Sequence, residues 1–401
     1  MSTFAAQPLT SRVAARSVLF FAVLGVLVLG AAHQPERENA RPLRNEDVVA
    51  HVPARGEPSG LALEGLRKSA EEAPAELARA LALTRAYIEA ARREGDPRYL
   101  GAAEAALAPW TAEPDPVAPV RLLRATILQS RHDFAGALVD LERALAQAPS
   151  DAQAWLTRAT VLTVLGRYDE ARTSCARLAG LVTEALRVSC VAPIDALTGH
   201  AARASAALEA ALVHARGADD LAYLHSLAGE LAFWSGTVEA SERHLRAALT
   251  LAPGDRYTRA LYADLMLDAG RAREVLALLR EHGSDDALLL RQALAELALG
   301  QRTAAVVARV QQGFAESRLR GDSVHQREEA RLWLALGDGA RALELALQSW
   351  ALQREAWDAR LVLLAAQVAR KPAAAAPVLG WLRATQCEAT RLLALANELR
   401  G

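Results

Sequence analysis

An all-α solenoid of antiparallel helix pairs is the fold class this sequence predicts, and three observations predict it. The composition is 52% hydrophobic but only 5% aromatic. Its apolar content is therefore mostly Ala, Leu and Val, which beside abundant Arg and Glu is helix-forming material. Glycines interrupt amphipathic runs at Gly166, Gly199, Gly236, Gly270, Gly300 and Gly337, spaced by 33, 37, 34, 30 and 37 residues. Comparable steps back from Gly166 reach His132 and Gly95. A helix on each side of a turn, with a period of about 34 residues, is what a helical repeat requires. Inside one unit, Trp155, Ala159, Leu162 and Leu165 fall at i, i+4, i+7 and i+10, one face of a helix.

The elements follow in chain order. Met1 to Arg16 carries Arg12 and Arg16 and no acid, and Ser17 to Ala32 carries no charge at all. As a helix the uncharged stretch would span about 24 Å, short of the roughly 30 Å hydrocarbon core of a bilayer. A basic flank, a short apolar run and small Gly30 and Ala32 at its end fit a secretory signal over residues 1–32; an uncleaved membrane anchor is the alternative. Either one exports the rest of the chain. The expected location is the periplasm of a bacterium, free or anchored in the inner membrane. Residues 33–60 are rich in Pro and charge and lack apolar periodicity, so they read as a disordered tether. Residues 61–117 read as a degenerate repeat region and 118–354 as the array. Residues 355–401 read as repeat-like helices, closed by a capping helix from Cys387 to Leu399.

Pro149 and Pro253 stand where one unit ends, because a helix cannot continue through them. Asp151 and Asp255 follow as acceptors for the first amides of the next helix. One unit carries Trp155, Ala159, Leu162, Gly166, Tyr168 and Ala171. The unit before it carries Ala125, Leu128, Ala137, Leu141 and Ala144, and a later one Gly229, Gly236, Leu245 and Ala248, with Gly270 marking the next turn. On these residues the chain resembles the tetratricopeptide repeat, and ALAQAPSDAQAW and ALTLAPGDRYTR are similar to that family's joints between repeats. The resemblance covers residues 118–370 and is strongest in the middle. It implies a right-handed superhelix whose concave side is lined by the first helix of each pair, and a protein or peptide as partner. Arg167, Tyr168, Asp169 and Glu170 then read as a turn, a packing tyrosine and helix-start acids.

Signatures of catalysis are missing: the sequence has no phosphate-binding glycine loop, G-x-S-x-G elbow, H-E-x-x-H or C-x-x-C. No catalytic residue, metal ligand or cofactor is expected. The nine histidines are scattered, and His225 reads as solvated or half-packed. The 46 basic and 47 acidic residues nearly cancel, so a nucleic-acid partner lacks its electrostatic footprint. Cys175 shares an apolar face with Ala171, Leu178 and Val182, and Cys190 with Leu186, Ile194 and Leu197. Consecutive helices pack together, so the two thiols can meet as a disulfide in an oxidising compartment; two inert core thiols are the alternative.

In the family's register, the first helix of the fourth repeat presents Tyr223, Ser226, Glu230, Phe233 and Trp234 to the concave side, and the fifth adds Tyr257, Asp264 and Asp268. Aromatics beside acids suit a peptide carrying Arg or Lys. The alternative is that Phe233 and Trp234 fill the core between repeats. The leading expectation is a non-enzymatic envelope scaffold that holds a protein or peptide, with the membrane reached through the N-terminal segment if that is retained. A structural component of an envelope assembly or secretion machine is the second reading, and a hydrolase with a C-terminal site a remote third.

Overall fold

The computed structural model describes residues 58–280, 286–301, 303–319 and 326–399. The expected leader and all but the last three residues of the expected tether lie outside them. Those last three already belong to a helix, α1 (Pro58–Glu72). No helix among the described residues is long and apolar enough to cross a membrane.

All described elements are helical. After α1 come α2 (Leu77–Glu94) and α3 (Arg98–Thr111), then α4 (Ala118–Ser130) with α5 (Phe134–Gln147) and α6 (Ala152–Val164) with α7 (Tyr168–Ala176). The middle pairs are α8 (Glu184–Leu197) with α9 (Ala201–His214), α10 (Ala218–Trp234) with α11 (Val238–Leu251), and α12 (Arg256–Asp268) with α13 (Ala272–Leu279). The later ones are α14 (Asp286–Ala298) with α15 (Ala304–Leu319) and α16 (Gln326–Ala335) with α17 (Gly339–Leu352). Then follow α18 (Ala356–Val368), a short 3-10 turn (Pro372–Ala375), α19 (Ala376–Ala384) and α20 (Thr390–Glu398).

The repeat turns have one construction. Gly95, Gly166, Gly199, Gly236, Gly270, Gly300 and Gly337 all take left-handed φ, from 64° to 84°. At Gly166 the amide donates to the Thr163 carbonyl at 2.9 Å, and Arg167 N–H to that of Leu162 at 2.8 Å. This paired closure satisfies the last carbonyls of the helix and needs a left-handed residue, where glycine carries no Cβ penalty. His132 occupies the same conformation in the preceding pair, and Arg370 in the pair after Gly337. Asp151 accepts from Ala154 N–H at 3.0 Å, and Asp255 from Tyr257 N–H at 3.0 Å, each capping its helix.

Small residues sit where helices touch. Ala159 and Ala171 are buried, and a Cβ on Gly229 would stand 2.6 Å from Leu245 Cδ2. Trp155 is half-buried and donates its indole N–H to the Pro149 carbonyl at 2.8 Å, which ties helix to joint. Cys175 on α7 and Cys190 on α8 form a disulfide. Helix α7 stops at Ala176 rather than running on to Val182, because the chain turns through Gly180 at φ 77°.

The array does not stay open. Along the inner side α10, α12, α14, α16 and α18 each touch the next, and α18 then comes back against α10. The segment around it also crosses the turns of earlier pairs. Arg354 N–H donates to the Val164 carbonyl at 2.6 Å, and Trp381 Nε1 donates to Tyr168 OH at 2.9 Å. Helix α20 packs on α18, and it also reaches α10, so it is more than an end cap.

A recess around Glu230 on the inner face of the array

Phe233 and Trp234 close α10 and are buried, with centroids 5.0 Å apart and planes at 86°. Trp357 of α18 completes the cluster, 5.0 Å from Phe233 and 4.7 Å from Trp234. Its indole N–H donates to Glu230 Oε1 at 3.1 Å, while Tyr257 OH donates to Glu230 Oε2 at 2.7 Å. Burial pushes the Glu230 carboxyl above its ordinary pKa against the pull of these hydrogen bonds, and the Glu355 charge adds to the rise. Tyr223 and Tyr257 keep 51% and 54% of their surface exposed, although burial is the first cause that raises both phenols. About half of each ring is open to solvent and the rest lies against protein.

The other acids of the inner face are neutralised within the chain. Asp264 is buried and accepts from Arg291 at 2.9 Å and from Arg331 at 2.6 Å. Burial alone would raise its carboxyl; the two guanidiniums outweigh that and bring the pKa down to about 2. Asp268 is held by Arg360 at 2.6 Å and Arg391 at 2.9 Å. The Arg391 guanidinium also lies 4.3 Å from the centre of the Phe233 ring. By contrast, Glu230 makes no ion pair among the described residues, only neutral hydrogen bonds.

The residues expected to line an open groove thus divide. Glu230, Phe233, Trp234 and Tyr257 come together, and Tyr223 stands two turns earlier on α10, near enough for the Glu230 charge to add to the rise of its phenol. Ser226 lies between two repeats, accepting from or donating to Thr258 Oγ1 at 2.7 Å, and Asp264 is sealed by arginines. Phe233 and Trp234 lie in the core, where Trp357 closes over them, as the alternative reading of these two residues had it. Sequence reasoning missed Trp357, Arg360 and Arg391. A signal for Trp357 did exist: it stands thirteen residues ahead of the turn residue Arg370, as Tyr223 does ahead of Gly236 and Tyr257 ahead of Gly270.

With this geometry in view, the fold and its turns define a solenoid of successive helix pairs. A tetratricopeptide-repeat family model matches residues 128–181. No curated protein matches the chain. Among solved structures, the chain is similar to the APC/C hetero-tetramer Cut9–Hcn1 at 16% identity and TM-score 0.41, over 77% of this chain and 52% of that one. It therefore spans about half the length of that protein. A tetratricopeptide repeat protein from Parabacteroides merdae is similar at 16% identity and TM-score 0.39, over 62% of this chain and 98% of the other. A Rap protein complexed with competence and sporulation factor is similar at 14% identity and TM-score 0.44, over 86% and 99%. Residues 128–181, which span the end of α4, α5, α6 and α7, thus match a tetratricopeptide repeat, and the other described elements are helices as well.

Proposed function

We propose that this protein is a non-catalytic protein–protein interaction scaffold that receives a cationic side chain of its partner in the recess around Glu230. One observation carries the reading. Of the three acids expected on the inner face, two are each held by two arginines, and Glu230 is left with neutral donors and an upward-shifted carboxyl. An arginine or lysine entering the recess would stabilise the charged carboxylate, and the faces of Tyr223 and Tyr257 would pack along its stem. The leader-like N-terminus and the Cys175–Cys190 disulfide favour a bacterial envelope location, where thiols are oxidised. The test is fluorescence anisotropy with a labelled nonapeptide that carries two arginines among Gly and Ser. Binding by the parent protein should weaken about tenfold or more in Glu230→Gln, the loss of one charge-assisted hydrogen bond. Equal affinity in the two proteins would remove the basis for the reading.

A further inference from the structure

The inner face already holds a ligand of the chemistry it selects, and that ligand belongs to the chain itself. Arg391 of α20 spans from Phe233 to Asp268 as an arginine of a bound peptide would. We propose that α20 is an intramolecular competitor: it occupies a second cation seat, formed by Phe233 and Asp268 next to the Glu230 recess, and partner binding displaces it. This rests on the Glu230 reading and adds its regulation.

Two features, its length and its polar contact, make α20 easier to release than α18. Helix α20 has nine residues, too few for a stable helix in water on its own. Its anchor is Leu392 and Ala396, with Leu395 and Leu399 half-buried against the same core, while Leu393 remains exposed. Its principal polar contact is incompletely satisfied: Arg391 Nε is buried without a hydrogen-bond partner, and Arg391 shares the single carboxylate of Asp268 with Arg360. Burial lowers the Arg391 pKa, and the neighbouring Arg360 charge lowers it further, whereas Arg360 itself is raised. Removal of α20 would leave Asp268 neutralised by Arg360, so the seat persists when its occupant departs.

The loop before α20 is the fastening. Glu388 accepts from Ala201 N–H at 2.8 Å, at the start of α9, and Gln386 lies against Gly199. Both contacts are exposed and separate from the seat.

The experiment uses the full chain and two variants, Arg391→Ala, which vacates the seat, and Glu388→Ala, which loosens the fastening and leaves the seat intact. Hydrogen exchange should show α20 amides opening at least about tenfold faster than those of α18, and faster again in both variants. The two-arginine probe should bind both variants about tenfold tighter than the parent, because the fraction of competent protein rises. A probe with a single arginine should gain much less. Unchanged or weaker binding of the two-arginine probe in both variants overturns the proposal, as does α20 exchange that matches α18 in all three proteins. If no probe binds any of them, the Glu230 reading has failed, and the exchange rates alone decide whether α20 opens as a unit.

Discussion

Asp264→Asn asks whether the inner ring is held shut by charge. Asp264 is 2% exposed and sits between Arg291, 6% exposed, and half-buried Arg331. Without its charge, the two guanidiniums would share Glu328, which lies 3.4 Å from Arg291 and 3.5 Å from Arg331. Removing one partner of a buried pair costs about 3–5 kcal/mol; with Glu328 still present the expected loss is near the lower end, about 3 kcal/mol. Urea unfolding followed by tryptophan fluorescence reads it directly, because Trp234 and Trp350 lie in this core and Trp333, Trp357 and Trp381 pack on it. A loss below about 1 kcal/mol would show that the arginines relax into solvent and that the ring is shut by packing alone. Replacing all four groups together (Asp264→Leu, Arg291→Met, Arg331→Met, Glu328→Leu) should come close to parental stability, since the desolvation cost disappears along with the attraction. Acid gives a second reading of the same group. The folded-state pKa lies at about 2 against an ordinary 3.8. The contribution is therefore complete above the ordinary value and is lost as pH falls through 3.8 towards 2, an interval of about 2 kcal/mol. Asp264→Asn should lack that part of the acid transition.

Reduction of the Cys175–Cys190 disulfide, or Cys190→Ser, should cost roughly 3 kcal/mol in denaturant unfolding, the chain-entropy value for a loop of this length; no difference between oxidised and reduced protein would count against a structural role. Gly229→Ala forces a methyl group to within 2.6 Å of Leu245 Cδ2 and should destabilise by about 1–3 kcal/mol, visible as a lowered Tm. His225 and His244 meet Nδ1 to Nδ1 at 3.0 Å, which requires one ring to donate and the other to accept. Burial lowers both pKa values; the His244 ring lowers that of His225 further, Arg243 acts in the same direction on both, and Glu209, bonded to His244 Nε2, opposes them. The unfolded chain then takes up protons first, so stability is full above the ordinary histidine pKa of about 6.5 and declines as pH falls through it. A Tm that is flat between pH 7 and pH 5 would contradict this, and His225→Asn should flatten the slope.

The local grammar of the fold was legible, and its closure was not. Every glycine chosen as a repeat break has left-handed φ, and Asp151 and Asp255 cap the helices they precede. Both follow from chemistry within a few residues of sequence. The rhythm fades after Gly337 because Arg370 and Gln386 take the left-handed position without being glycine, which hides the later turns from a search for breaks. The chemistry of the inner face was read as aromatic and acidic, but not that the chain supplies its own arginines. Trp357 meets Glu230 across 127 residues, and Arg391 meets Asp268 across 123. Periodicity fixes which face a residue occupies; it does not fix how far the array must curl before two such faces meet.

That curl determines what kind of recognition is open to the protein. An extended peptide needs a continuous trough, and the trough over α10 and α12 is crossed by Trp357, Arg360 and Arg391. Trp357 is clamped between two aromatic rings and hydrogen-bonded to Glu230, and its helix touches α16 as well as α20. Displacing it would open the largest buried cluster among the described residues, a loss no single peptide contact of about 1–3 kcal/mol offsets. Arg391 itself is held by the Phe233 ring and by a carboxylate it shares with Arg360, while its helix places Leu392 and Ala396 in that same cluster. On the proposed reading a partner would gain access in steps of one side chain: a cation beside Tyr257 at Glu230, then a second where Arg391 had been. The order follows from burial, since the first seat is open to solvent and the second is uncovered only when α20 leaves.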